Sequence, residues 1–207
     1  PRFVDIESPS HLLSAHDDNQ PPPLASASAL QRGNLTHDLL EGLATLTTSM
    51  TRDVTVDASI LEARAQAYLQ RHGGAFSTSD QADIANEVLK ILQSEELAVL
   101  FGPNSRAELP IAGRLPSANG WRHFAGRIDR YAETANAVII ADYKTNRVPP
   151  QEAADIPRAY LAQMAVYQAL LASQTDKPVK CLLIWTVSGF VQAIPNEMMH
   201  RILSETL

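Results

Sequence analysis

The segment that most constrains the fold of this chain runs from residue 124 to residue 146 and reads FAGRIDRYAETANAVIIADYKTN. Its β-branched and aromatic residues alternate with polar ones on both sides of a polar turn, which predicts two antiparallel strands. Asp129, Asp142 and Lys144 interrupt these strands. Because an unpaired charge in such a position costs several kcal/mol, the sequence predicts a strand pair that holds partnered charges.

A two-residue loop at Ala135 and Asn136 would set the register of this hairpin. With that loop, Asp129 lies directly across from Asp142. Opposed residues point to the same face, and Lys144 joins them because side chains alternate along a strand. Two close carboxylates repel each other unless a cation lies between them, and an oxygen-rich site suits Mg²⁺ or Mn²⁺. A metal beside a lysine ammonium favours phosphodiester hydrolysis.

A simpler interpretation of the three charges stays open at this point. Asp129, Asp142 and Lys144 could be solvated residues on the polar face of a two-layer sheet, because the spacing of the pattern is loose. The apolar run VIIA before Asp142 and the glycine of GRID favour the buried site, since that glycine allows a close backbone approach.

The rest of the chain divides into a helical part and a sheet-containing part. Residues 1–27 hold a triple proline and are typical of an arm or linker from a preceding domain. Residues 28–103 have the apolar periodicity of three helices. Residues 104–195 predict an antiparallel meander, a helix with Pro157 in its first turn, a buried strand and a short final strand. The predicted class for residues 28–207 is α/β, a mixed central sheet with an antiparallel meander, flanked by helices.

Composition excludes several kinds of function. The net charge of the 207 residues is -6, so nucleic-acid binding requires a local site rather than an overall field. Cys181 is the single cysteine of the sequence, so the chain can form neither a disulfide framework nor an iron–sulfur cluster. Because Cys181 lies in an apolar run, we predict that it is a core residue. Without a long apolar run or signal segment we expect a cytoplasmic, nucleoid-associated protein with no membrane contact. We interpret the start at Pro1 as a piece of a longer polypeptide.

Three segments in a set order resemble the RecB-like branch of the PD-(D/E)xK nuclease superfamily. They are GRIDR, IIADYKTN and AYLAQMAVYQALL, and they are most similar to the C-terminal nuclease domain of the bacterial AddA helicase-nucleases. The segment RGNLTHDLLEGL, residues 32–43, resembles the helix that supplies that family's histidine ligand, and SPSHL resembles its entry segment. The resemblance covers the chain from Ser8 to about Pro195 and implies a restriction-endonuclease-like fold.

This resemblance implies roles for two sets of residues. The first set holds the metal, with the tyrosine acting through its backbone carbonyl, and comprises His37, Glu108, Asp129, Asp142 and Tyr143. The second set acts on the DNA and comprises Asp129, Asp142, the catalytic lysine Lys144, and the helix residues Gln163 and Tyr167. His37 depends on the resemblance, because a lone histidine on a leucine-rich helix is more often a structural residue.

The activity that the resemblance implies is Mg²⁺-dependent exonucleolytic cleavage of DNA, with Mn²⁺ as a substitute. The expected partners are DNA, the ATP-driven helicase domains of the same polypeptide and an AddB-like partner subunit, acting together on double-strand breaks for recombinational repair. Two alternatives stay open: a non-catalytic nuclease-like module that binds DNA or assembles a complex, and a free-standing exonuclease or restriction-type endonuclease. We also expect the site to be locally positive, through Arg122, Arg127, Arg130, Lys144, Arg147 and Arg158.

Overall fold

Three helices precede the main strands, as the periodicity predicts. The computed structural model describes residues 5–12, 27–49 and 57–207, and the helices are α1 (Ala27–Ser49), α2 (Ala58–His72) and α3 (Thr78–Leu92). Asp57 caps α2 by accepting a hydrogen bond of 2.9 Å from the Ser59 amide, and Gly73 ends that helix. A short 3-10 segment (Glu95–Phe101) follows α3. No helix in these described ranges has both the length and the apolar character that crossing a membrane requires.

One mixed sheet forms the centre of the domain. Its strands within the described residues are β1 (Ile6–Glu7), β2 (Ser105–Ser117), β3 (Gly120–Glu133), β4 (Val138–Lys144), β5 (Val179–Trp185) and β6 (Phe190–Ile194). The segment β2–β3–β4 is the predicted antiparallel meander, β5 lies parallel to β4, and β6 is antiparallel to β5. The predicted class, a mixed sheet flanked by helices, is confirmed.

The β3–β4 hairpin has the predicted register. Its ladder runs through the pair Arg130–Ala141, and the turn includes Ala135 at its exposed tip. The ladder ends one step before Asp129 and Asp142. The hairpin therefore brings the two aspartates to adjacent backbone positions, while their side chains are left to contact other groups.

Helices cover both faces of the sheet. The helix α4 (Arg158–Ala172) begins directly after Pro157, which takes the N-cap position rather than the predicted place in the first turn. Together with α5 (Asn196–Thr206) it covers one face, in a core cluster that includes Cys181, as predicted. The helices α1, α2 and α3 form a second cluster with the other face. The end of β4 therefore lies between two helical layers.

Part of the predicted N-terminal arm belongs to the folded domain. Strand β1 pairs in parallel with β3, and Glu7 forms an ion pair of 2.5 Å with Arg122. Leu12 is buried in the core cluster on the α4 side. Residues 13–26, with the triple proline, lie outside the described residues, so the linker prediction for them stays a prediction.

Candidate active site

The carboxyl end of β4 carries a buried network of three polar side chains. Gln163, on α4, donates a hydrogen bond of 2.8 Å from Nε2 to Asp142 Oδ1. Lys144 Nζ lies 2.6 Å from Asp142 Oδ2 and donates to Gln163 Oε1 at 3.3 Å. Gln163 therefore contacts both members of the Lys144–Asp142 pair.

The environment of Lys144 keeps its ammonium charged. Burial opposes the charged form, but the charge and hydrogen bond of Asp142 more than offset it, so the pKa of Lys144 is raised above its ordinary value. The ammonium also lies 4.0 Å from the centroid of the Tyr160 ring, a distance that favours a cation–π contact. Lys144 is therefore built to act as a cation rather than as a base.

A second cluster forms on the α1 side of β4. His37, Glu108 and Asp129 place one ligand atom each within 4.8 Å of one another. The backbone of Tyr143 connects two of them, because its amide donates to Asp129 Oδ2 at 2.9 Å and its carbonyl lies 3.2 Å from His37 Nε2. Four of the residues expected at a metal centre therefore meet here, whereas Asp142 contacts Lys144 and Gln163 from the α4 side.

Glu108 reaches this cluster through an unusual backbone conformation. Its φ is 50°, the one positive value for a non-glycine residue in the described ranges. The β2–β3 ladder pairs Ala107 and Leu109 but omits the position where Glu108 faces Asp129. Such a conformation costs about 1–3 kcal/mol and is concentrated at functional sites. The sequence signal here, an ordinary strand pattern, does not reveal it.

The electrostatics of Asp129 favour a bound cation. Burial, and then the charge of Asp142, raise the pKa of Asp129 well above its ordinary value, although the Tyr143 amide and Lys144 act in the opposite direction. A cation beside Asp129 would relieve this unfavourable charge. One imidazole, two carboxylates and a backbone carbonyl form a donor set that hard divalent ions such as Mg²⁺ or Mn²⁺ accept. These residues fit a divalent metal.

Tyr167 positions β3 rather than lining the cleft. Its hydroxyl donates to the Arg127 carbonyl at 2.9 Å and accepts a bond of 3.3 Å from the Arg127 amide. A Cβ atom at Gly126 would lie 2.8 Å from that hydroxyl, so the glycine of GRID permits a close approach of this side chain. Gly33 does the same on α1, where an added Cβ would lie 3.2 Å from Thr145 Oγ1.

The expectation of a broadly positive site is wrong for three of its arginines. Arg122 pairs with Glu7, and Arg158 pairs with Glu205 at 2.6 Å. Arg130 is only 2% exposed and donates a hydrogen bond to a backbone carbonyl of the 3-10 segment that follows α3. These side chains stabilise the fold, because each is already held by a partner in the domain.

A cleft of about 650 Å³ opens over the metal-type cluster. Arg127 remains at its edge, where it contacts Glu108 at 3.3 Å. Tyr160 also lines the cleft, a residue not predicted for the site although it shares the helical stripe of Gln163 and Tyr167. The site residues that line it are His37, Glu108, Arg127, Asp129, Thr145, Asn146 and Tyr160.

A comparison of the sequence with known protein families identifies the superfamily of this chain. The family model of the PD-(D/E)XK nuclease superfamily matches residues 10–195, and the chain belongs to this superfamily. No curated protein matches the chain in sequence.

Two solved structures resemble the fold at low sequence identity. A protein from Eubacterium rectale, provisionally named an exonuclease, is 11% identical, with a TM-score of 0.48 over 88% of this chain and 81% of that chain. The protein SSO0001 is 16% identical, with a TM-score of 0.35 over 83% and 84%. Because both TM-scores are below 0.5, the assignment rests on the family match.

Proposed function

We propose that this domain is a Mg²⁺-dependent deoxyribonuclease that hydrolyses phosphodiester bonds from DNA ends. The observation that carries the proposal is the meeting of two clusters at the end of β4. His37, Glu108 and Asp129 supply metal-type ligands on one side, and Lys144 supplies a buried, paired cation on the other. In metal-assisted phosphodiester hydrolysis, a metal can activate water and a nearby cation can stabilise the charge on the phosphate.

The residues have distinct tasks in this mechanism. His37, Glu108, Asp129 and the Tyr143 carbonyl would hold the metal, and Asp142 joins them if Lys144 turns toward the substrate. A bound divalent cation would neutralise the scissile phosphate and make a water molecule more acidic.

Lys144 stabilises the negative charge that develops on the phosphate oxygens. Gln163 holds both Lys144 and Asp142, so it sets the direction of the ammonium. Tyr167 positions the backbone of β3 at Arg127, two residues from Asp129.

The first test is cleavage of end-labelled linear DNA by the 207-residue chain, with Mg²⁺, with Mn²⁺ and with chelator. The matched control is Lys144→Met, which removes the charge but keeps an unbranched side chain. We expect metal-dependent cleavage that the control loses. A soluble Lys144→Met protein with full activity would refute the mechanism. If the wild type neither cleaves nor binds Mg²⁺ or Mn²⁺ by calorimetry, the domain is a non-catalytic module.

We further propose that the domain works within a helicase-nuclease that processes double-strand breaks, with an AddB-like partner subunit. Support comes from the resemblance of GRIDR, IIADYKTN and AYLAQMAVYQALL to the AddA nuclease domain. A linked motor would also supply the strand at high effective concentration, which suits a chain of net charge -6. The size of the native polypeptide separates this proposal from a free-standing exonuclease.

A further inference from the structure

A line of exposed side chains runs from the candidate active site to the far end of the β2–β3 hairpin. Arg127 lines the cleft beside Asp129. Beyond it, cross-strand pairs on the same face of the two strands are Ala112–Ala125 and Arg114–His123. Trp121 follows near the tip. We call this surface the ribbon face and define it by Ala112, Arg114, Trp121, His123, Ala125 and Arg127.

Within residues 5–12, 27–49 and 57–207, the opposite face of the same strands supplies the core contacts and the ribbon face is left largely exposed. The alternate positions Ile111, Leu115, Phe124 and Ile128 are buried in the cluster around α4. On the ribbon face, Arg114, Ala125 and Arg127 are exposed, and Trp121 is 56% exposed. An exposed aromatic ring can serve as a platform on which a base stacks.

The chemistry of the ribbon face fits a single nucleic-acid strand. Two arginines and a histidine occupy it, and none of its six defined positions is acidic, although Arg127 contacts Glu108 at 3.3 Å and the whole chain carries a net charge of -6. The Arg114 guanidinium lies over the Trp121 ring, 4.5 Å from its centroid, so a positive charge covers one face of the indole. Cationic side chains that follow a backbone, combined with an aromatic stacking platform, are the recurring features of single-strand binding.

The stacking platform favours a single strand over a duplex. From Asp129 to Trp121 the strand advances by eight residues, or about 26 Å at ~3.3 Å per residue. The bases of an intact duplex are already stacked on one another and cannot stack on Trp121, whereas a single strand leaves its bases available. Because Ala112 and Ala125 have small side chains, the middle of the ribbon face leaves room for a DNA strand.

We propose that the ribbon face guides single-stranded DNA, with a base stacked on Trp121 and the end directed past Arg127 to the metal-type cluster. The inference rests on the proposed nuclease function for the direction of the strand. It adds a substrate form, single-stranded DNA, and an anchoring residue about 26 Å from the site of cleavage.

The test uses the two tryptophans of the chain as internal reporters. Trp185 is 1% exposed and Trp121 is 56% exposed, so quenching by a bound base reports Trp121. Oligothymidylate of about 12 nucleotides is titrated in chelator, with affinity measured by anisotropy of a labelled oligonucleotide. We expect quenching on binding and a loss of affinity of about fivefold or more in Trp121→Ala, as base stacking predicts.

Two control variants separate stacking from general effects on the fold. Trp121→Phe should keep most of the affinity, and Phe190→Ala, which removes an exposed aromatic ring of β6, should leave it unchanged. Equal affinity of Trp121→Ala and wild type would overturn the proposal. Equally tight, Trp121-dependent binding of a blunt duplex would overturn the choice of a single strand.

These outcomes are independent of those for the nuclease itself. Binding is measured in chelator, so a domain that binds through Trp121 but never cleaves with metal would refute the proposed function alone. A domain whose cleavage is lost in Lys144→Met, but whose binding ignores Trp121, would refute the ribbon-face proposal alone.

Discussion

Lys144 and Asp142 form an ion pair of 2.6 Å in which the side chains are 13% and 4% exposed. They are separated by one residue on β4, and both reach toward α4, where Gln163 contacts each of them. A charge at this depth is tolerated only with its partner. The pair therefore links the stability of the domain to the residues proposed for catalysis.

Lys144→Met should destabilise the domain as well as abolish cleavage. The substitution leaves the Asp142 carboxylate buried without its cation, at a cost of about 3–5 kcal/mol in the free energy of unfolding. Adding Asp142→Asn should recover much of that loss, because contacting residues are energetically coupled, but should not restore cleavage. Denaturant unfolding and a cleavage assay measure the two effects. A Lys144→Met protein as stable as wild type would contradict this account of the ion pair.

Divalent metal should bind more tightly as the pH rises. The pKa of Asp129 in the folded domain is raised above its unfolded value of about 3.9. Without metal, the folded domain therefore holds a proton on Asp129 more tightly than the unfolded chain does, and the free energy of unfolding decreases as the pH increases through the raised pKa. Metal requires the deprotonated carboxylate and releases the proton. The increase in Tm caused by Mn²⁺ should therefore grow with pH over this window, and Asp129→Asn should abolish it. A shift that is independent of pH in wild type would contradict the prediction.

Gly126→Ala should destabilise the domain, whereas the same change at Gly42 should not. A Cβ at Gly126 would lie 2.8 Å from the Tyr167 hydroxyl and 3.1 Å from Pro9, so we expect a loss of about 1–3 kcal/mol and weaker cleavage as β3 shifts. A Cβ at Gly42, inside α1, meets nothing within 4 Å, and alanine there should stabilise by about 0.5–1 kcal/mol. Thermal unfolding compares the two variants. Equal effects would mean that Tyr167 is not closely packed on β3.

Glu7→Gln should lower stability at neutral pH but not in acid. The hydrogen bond from Arg122 holds the pKa of Glu7 below its usual value, although burial opposes this. The contribution is present above the unfolded pKa of about 4.3 and is lost as the pH falls through the lower folded value. Because the pair is partly exposed, we expect about 0.5–1 kcal/mol. Unfolding curves at pH 7 and pH 3 provide the measurement, and an equal deficit at both would exclude the ion pair as the cause.

Much of the architecture follows from signals that are local in the sequence. Asp57 and Gly73 bound α2 because capping depends on a few neighbouring residues. The β3–β4 register follows from the turn length at Ala135, and it brought Asp129 next to the backbone of β4. Gln163 and Tyr167 are four residues apart on α4, a spacing that puts both side chains on the same side of the helix, where they contact β4 and β3.

Other features depend on contacts between distant parts of the chain. The segment around Glu7 joins β3 through partners more than a hundred residues away, so its own composition resembled a linker. The arginines Arg122 and Arg130 have the same charge as Arg127, but only the tertiary structure shows that they are held within the fold, whereas Arg127 contacts Glu108 and stays 66% exposed. No local sequence pattern indicates which arginine forms an ion pair or hydrogen bond inside the fold.

The hairpin, its register and the alternation of polar and apolar side chains on β4 are consequences of near-neighbour geometry, which the order of the residues is sufficient to specify. By contrast, near-neighbour geometry does not explain why His37 and Glu108 lie close to Asp129. Their proximity requires α1 to pack beside β4 and the backbone of Glu108 to adopt a strained conformation that its own sequence does not favour. Only the packed core supplies the free energy that holds these groups together, so the tertiary structure decided the composition of the metal-type cluster.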